Sequence, residues 1–197
     1  MKPDHLSDLT FASLDLHPRL LSGLAKLGYE HCTPIQAACL PMALAGKDLA
    51  GQAQTGTGKT AAFLLATMQH LLTHAPKGPE GVPAPGAFIL APTRELAVQI
   101  YNDAKELGVD TGLKMTVCYG GAGYEQQRAE IEGGVDILIG TPGRLIDFYK
   151  QKTFSLSYVE CMVLDEADRM FDLGFIDDIR YLLHKMPKPA ERKSYLF

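Results

Sequence analysis

The chain has 197 residues, 46% of them hydrophobic, which suits one domain with a substantial buried core. Its 19 basic and 23 acidic residues leave a formal net charge of −4, which excludes a global field drawing in a polyanion, so any nucleic-acid contact must come from local groups. No run approaches the roughly 18 apolar residues of a membrane span, and Asp4, Asp8 and Asp15 interrupt the start where a signal peptide would be apolar, so a cytoplasmic protein without membrane attachment is expected.

The first predicted helix begins at Pro18, carries Leu20, Leu21, Leu24 and Leu27 at helical spacing and ends at Gly28. Thr33-Pro34-Ile35-Gln36 then opens a second helix, with Thr33 as N-cap, Pro34 in the first helical position and Gln36 placed to close a capping box onto the Thr33 amide. That is a complete structural account of Gln36, and a functional one has to add to it.

Residues 48–52 lack β-branched side chains and read only as a weak strand. The stretch Ala53-Gln54-Thr55-Gly56-Thr57-Gly58-Lys59-Thr60 follows. Its end matches the phosphate-loop pattern, in which glycines turn backbone N–H groups onto a polyphosphate and a lysine reaches the outer phosphates, although Ala53 stands where the general pattern has Gly. From Thr60 onward Ala61, Leu64, Leu65, Met68, Leu71 and Leu72 predict an amphipathic helix whose N-terminus faces those phosphates. The plain alternative is a Gly/Thr loop before an ordinary helix. His70 and His74 share a face of this helix, but no Glu follows His70, so they are expected to face solvent rather than bind metal.

Residues 73–86, rich in Pro and Gly, read as an exposed loop. Beyond it, apolar runs at residues 88–90, 115–119, 137–139 and 161–164 alternate with helices starting near Arg94, Glu125, Thr141 and Ile176, and residues 194–197 read as a last buried strand after which more chain is expected. Short, wholly apolar strands alternating with helices imply an α/β fold: a mainly parallel sheet covered on both faces, with ligands at the carboxyl ends of the strands. The four cysteines, Cys32, Cys39, Cys118 and Cys161, form no Cys-x-x-Cys pair and are expected reduced and mostly buried.

The polar motifs fall at those strand ends. Asp165 follows a buried run, where a nucleoside triphosphatase places the carboxylate that holds Mg²⁺ beside the loop hydroxyl of Thr60, and adjacent Glu166 is placed to orient or deprotonate the attacking water. An acidic helix N-terminus is the competing explanation. Pro92-Thr93-Arg94-Glu95, Gly120-Gly121 and Thr141-Pro142-Gly143-Arg144 open three further loops; a Thr at a helix start with an Arg can bind a phosphate without reading a base, or can simply cap the helix.

Taken in order, Gly28-Tyr29 with residues 33–36, residues 53–60, residues 92–97, Gly120-Gly121, residues 141–144 and Asp165-Glu166-Ala167-Asp168 resemble the N-terminal RecA-like domain of DEAD-box RNA helicases over essentially the whole chain. In that family the phosphate loop begins with Ala. The resemblance implies that residues 1–197 are the first RecA-like domain, residues 1–46 its adenine-recognition segment, and that a second RecA-like domain lies outside the chain. It places Gln36 on the adenine edge, Phe11 on the adenine ring, residues 53–60 around ATP, Lys59 on the phosphates, Thr60 and Asp165 on Mg²⁺, and Glu166 on the water. Asp168 would couple the site to the second domain, and Pro92, Thr93, Arg94, Gly121, Thr141, Gly143 and Arg144 would line the RNA backbone. Residues 51–53 and 165–179 look closest to the bacterial degradosome members, implying ribonuclease E and other degradosome components as partners through the second domain. An ATPase of the same fold acting on another substrate, and a non-catalytic RNA-binding scaffold, are the competing readings. Without the second domain's arginines, which contribute about 10³ to 10⁵ in rate in phosphoryl-transfer enzymes, the chain alone is expected to hydrolyse ATP barely.

Overall fold

The computed structural model describes residues 6–52, 56–74, 78, 81–121 and 123–197. The elements run α1 (Pro18–Lys26), α2 (Pro34–Leu44), β1 (Leu49–Ala50), α3 (Lys59–Thr73), β2 (Ala87–Leu90), α4 (Arg94–Leu107), β3 (Met115–Cys118), α5 (Tyr124–Glu132), β4 (Ile137–Gly140), α6 (Pro142–Lys150), β5 (Cys161–Leu164), α7 (Ala167–Asp172), α8 (Ile176–Leu183) and β6 (Lys193–Leu196). Among the described residues six strands form one sheet in the order β1-β6-β5-β2-β4-β3, and every neighbouring pair is parallel. The α/β class read from the alternation is the one observed.

Strand periodicity divides the core in two. Ala87 and Ile89 of β2, Ile137 and Ile139 of β4, and Cys161 and Val163 of β5 join one apolar cluster, with Leu24, Leu40, Phe63, Leu64 and Ile100 from the helices of that face. The intervening Phe88, Leu90, Leu138, Met162 and Leu164 join the other, with Ile131, Leu145, Phe148, Ile179 and Leu182. All residues of β2, β4 and β5 are buried, as central strands covered on both faces must be.

The local signals acted as read at several points. Pro18 opens α1, and Gly28, just past its end, has φ +71°. The Thr33–Gln36 capping box forms. All four cysteines are free and buried, and burial pushes the Cys118 and Cys161 thiols up to about 12.

Other expectations need correcting. The first half of α3 is not amphipathic: every residue from Ala62 to Met68 is buried, because α1, α2, α4 and β5 surround it. His70 does not face solvent; its Nε2 lies 3.0 Å from Oε2 of buried Glu160, and its ring stacks on His74 at 4.0 Å. Tyr119 lies beyond β3, and β6 begins at Lys193 and ends before Phe197. Between Asp165 and α8 stands a separate short helix, α7, with Glu166 at its N-cap position and Asp168 in its first turn, so the acidic helix start weighed for this stretch is present. The weak strand at residues 48–52 shrinks to Leu49–Ala50, held by β6 and by the Ser194 amide donating to Asp48 Oδ1 at 2.8 Å.

One hydrogen bond past the end of every strand but β3 stitches the carboxyl edge of the sheet. The amides of Gly51, Phe197, Asp165, Ala91 and Thr141 donate to the carbonyls of Leu196, Leu164, Leu90, Gly140 and Cys118, at 2.8 to 3.1 Å. One such bond joins each neighbouring pair, so the loops after β1, β2, β4, β5 and β6 leave the sheet from fixed points. This edge is where a doubly wound sheet offers its ligand site.

Candidate nucleotide and backbone-binding site

A cavity of about 910 Å³ opens beside this edge and is lined by Phe11, Gln36, Gly58, Lys59, Thr60, Asp165 and Glu166 among others. Ala53, Gln54 and Thr55, assigned above to the nucleotide, lie outside the described residues. Gly56 and Thr57 lead into Gly58, which caps α3 with φ +91°. A Cβ at Gly58 would stand 2.5 Å from Gln36 Nε2 and 3.1 Å from Thr33 Oγ1, so both backbone and space demand glycine there. Lys59 and Thr60 occupy the first turn of α3, where unpaired amides and the helix dipole favour an anion.

Gln36 is buried, and both ends of its amide are used. Its Oε1 accepts from the Thr33 amide at 2.9 Å, and its Nε2 donates to the Gly58 carbonyl at 3.1 Å. The capping box is therefore also a tie between α2 and the phosphate loop. Phe11 sits in a short 3₁₀ turn whose amide donates to Glu30 at 3.0 Å; its ring lines the cavity yet is 3% exposed and packs into the core.

Asp165 and Glu166 enter from the end of β5. Asp165 is 3% exposed, and its Oδ1 is buried without a hydrogen-bond partner among the described residues. Burial pushes its carboxyl above the usual range, with the Lys59 charge opposing that shift, the Glu166 charge adding to it and a backbone hydrogen bond from Glu166 opposing it. A buried carboxylate with one oxygen left unmatched, in a residue that lines a cavity together with a lysine and a helix-start threonine, fits a hard divalent cation that keeps most of its other ligands as water and phosphate. Glu166 has φ +53°, a left-handed conformation costly for a residue with a Cβ, and its carboxylate accepts from Arg169 Nη1 at 3.2 Å. Asp168, in the first turn of α7, is exposed.

The three remaining motifs lie at the ends of β2, β3 and β4, which adjoin in the sheet. Pro92 is buried, the Thr93 hydroxyl caps α4 by accepting from Leu96 at 3.2 Å, and exposed Arg94 lies 4.5 Å over the Tyr119 ring. Gly121, at φ +97°, is exposed. Thr141 heads α6 with no side-chain capping bond, and Gly143 presents an open backbone in the first turn. Arg144 donates to Gln127 Oε1 at 3.1 Å and covers the rings of Tyr124 and Phe148. Of the residues expected to hold the nucleotide, the structure thus brings Phe11, Gln36, Gly56, Gly58, Lys59, Thr60, Asp165 and Glu166 to one cavity, and it sets the other motifs in a row along the same edge. Sequence reasoning missed Gln127 and Arg169, which carry no motif of their own; only the i to i+3 spacing of Glu166 and Arg169 offered a signal.

Comparison with known proteins agrees with this arrangement. Residues 33–197 match the DEAD/DEAH box helicase family. The whole chain is 59% identical to the ATP-dependent RNA helicase RhlB of Vibrio vulnificus strain YJ016, 58% to that of Aeromonas salmonicida strain A449 and 56% to that of Vibrio cholerae serotype O1 strain M66-2. It covers 45 to 46% of the length of these curated relatives.

Proposed function

The chain belongs to the DEAD/DEAH box helicase family, and from that membership we propose that it is the first RecA-like, ATP-binding half of an RNA helicase, with residues 1–46 as the adenine-recognition segment. The observation that carries this reading is the meeting of Lys59, Thr60 and Asp165, whose buried carboxylate keeps one oxygen unmatched among the described residues, at one cavity tied through Gly58 to Gln36. ATP enters with its phosphates against the start of α3, Lys59 on the outer phosphates, Gln36 and Phe11 at the adenine, and residues 53–57 along the loop. Thr60 and Asp165 would hold Mg²⁺, which when bound neutralises charge on the phosphates.

Glu166 then has to leave Arg169 and accept a proton from, or orient, the attacking water. Arg94, Thr93, Pro92, Gly121, Thr141, Gly143 and Arg144 contact RNA phosphates and sugars, which predicts little base specificity. Asp168 faces the second domain and couples it to the site. The whole protein hydrolyses ATP in response to RNA and separates short duplexes in the cytoplasm, with ribonuclease E and other degradosome components bound through that second domain. No described helix is long and apolar enough to cross a membrane. The 197-residue chain alone binds adenine nucleotide weakly and turns it over barely, since the other half supplies the arginines that stabilise the transferring phosphoryl.

The test is ATP turnover of the whole protein with RNA, with DNA and with neither, alongside a Glu166→Gln variant. Stimulation by RNA above DNA, lost in Glu166→Gln, is the expected result. Equal stimulation by DNA points to another substrate, and unchanged turnover in Glu166→Gln overturns the chemistry assigned to that carboxylate.

A further inference from the structure

The three motifs along the β2-β4-β3 edge are joined by a residue outside all of them. Gln127, on α5, is buried. Its Oε1 accepts from the Tyr119 amide and from Arg144 Nη1, both at 3.1 Å, and its Nε2 donates to the Tyr119 carbonyl at 3.3 Å. Two donors converging on one oxygen fix which way round the amide sits. Tyr119 is the last residue before the Gly120-Gly121 turn, and its ring carries the Arg94 guanidinium. One buried amide therefore connects the loop after β2, the turn after β3 and the helix start after β4.

We propose that Gln127 is a positioning residue for RNA: by clamping the Tyr119 backbone and the Arg144 guanidinium together, it presents Arg94, the glycine turn and Arg144 as one preformed track for consecutive phosphates. This rests on the assignment of those residues to the RNA backbone. Buried beneath the turn, Gln127 acts through Arg144. A guanidinium already held against the Tyr124 and Phe148 rings and the Gln127 oxygen gives up little rotamer freedom when a phosphate arrives, which is how preorganisation converts into affinity.

The experiment measures RNA affinity of the whole, two-domain protein over a range of salt concentrations, with a non-hydrolysable ATP analogue bound. The variants are Gln127→Glu, Gln127→Met, Arg144→Ala and the double changes. Gln127→Glu keeps an acceptor for the Tyr119 amide but adds a charge that holds Arg144 away from phosphate. It is expected to weaken RNA binding about tenfold and to lower the slope of log affinity against log salt by about one phosphate contact. The KM for RNA rises while ATP affinity and kcat at saturating RNA stay put, and on the Arg144→Ala background most of the change is lost, leaving only the part carried through the Tyr119 backbone. Gln127→Met, similar in length but unable to make these bonds, loses affinity in the same direction.

A merely structural glutamine would instead lower the melting temperature in Gln127→Met, leave the salt slope and RNA KM unmoved, and add its effect to that of Arg144→Ala; that result overturns the proposal. If Arg144→Ala weakens RNA binding and Gln127→Glu does not, Gln127 alone is wrong. If Arg144→Ala has no effect, the assignment of the track to RNA falls with it.

Discussion

The Gln36 amide donates to the Gly58 carbonyl at 3.1 Å while its own oxygen accepts from the Thr33 amide at 2.9 Å, so one buried side chain closes the cap of α2 and holds the turn that opens α3. Gln36→Glu keeps the bond accepted from the Thr33 amide and replaces the bond to the Gly58 carbonyl with two oxygens facing each other. Losing such a bond and leaving the partner unmatched costs about 1 to 3 kcal/mol, or about 5- to 150-fold in affinity. Nucleotide affinity should fall for ATP and GTP alike, with any additional loss confined to ATP reporting the adenine contact. Calorimetric titration with both nucleotides checks this; a loss seen with ATP alone would mean that the tie to Gly58 has no bearing on the phosphates.

Gly58 and Gly56 offer a paired comparison. Both have positive φ, +91° and +78°, but a Cβ at Gly56 meets nothing within 4 Å, whereas one at Gly58 runs into the Gln36 amide. Gly56→Ala should cost only the backbone strain, about 1 to 2 kcal/mol. Gly58→Ala should cost more and displace the Gln36 side chain as well. Urea unfolding ranks the two variants, and nucleotide binding should fail first in Gly58→Ala. Equal destabilisation would show that the Gln36 contact yields freely.

What the sequence made legible depended on whether the determining interaction is local. The cap at Thr33, Pro34 and Gln36 is written within four residues, and β2, β4 and β5 announce themselves because full burial on both faces requires unbroken apolar runs. β1 is two residues long and owes its place to β6, whose pairing partners lie more than 140 residues away. The early turns of α3 are buried all round by neighbours that helical periodicity cannot report. The cavity-lining residues Gly58, Lys59, Thr60, Asp165 and Glu166 were legible as motifs, since the pattern of a phosphate-binding turn sets consecutive residues. Gln127 and the bond from Gln36 to Gly58 were not, because each joins separate elements through a side-chain amide whose partners are backbone groups or a distant arginine.

Asp165 and Glu166 hold unfavourable states that substitution should release. Asp165→Asn removes a buried charge with an unmatched oxygen, and without nucleotide or metal it should raise stability by on the order of 1 kcal/mol, about 2 to 4 °C in Tm for a domain of this size. Glu166→Gly should relieve the left-handed backbone and offset the lost Arg169 pair, whereas Glu166→Gln keeps the strain. Differential scanning calorimetry of the three variants should rank Asp165→Asn and Glu166→Gly above Glu166→Gln, while all three lose ATP turnover in the whole protein. A drop in Tm for Asp165→Asn would show that its carboxylate is satisfied in solution.

Outside the cavity lined by Lys59 and Asp165, His70 supplies a pH dependence of folding. Burial holds its imidazole below the ordinary value, and His74 and Lys193 push the same way, while the hydrogen bond and charge of Glu160 oppose them. In the unfolded chain the imidazole takes a proton near pH 6.5, but in the folded chain it does so only at lower pH. The unfolded state therefore binds more protons between the two values, and the contribution of His70 to stability, complete above about pH 6.5, is lost as pH falls toward the depressed folded value. His70→Gln keeps a donor for Glu160 and cannot titrate, so its stability should fall less between pH 7.5 and 5.5 than that of the parent chain. Urea midpoints at the two pH values measure this; parallel losses in both proteins would assign the acid sensitivity to other groups.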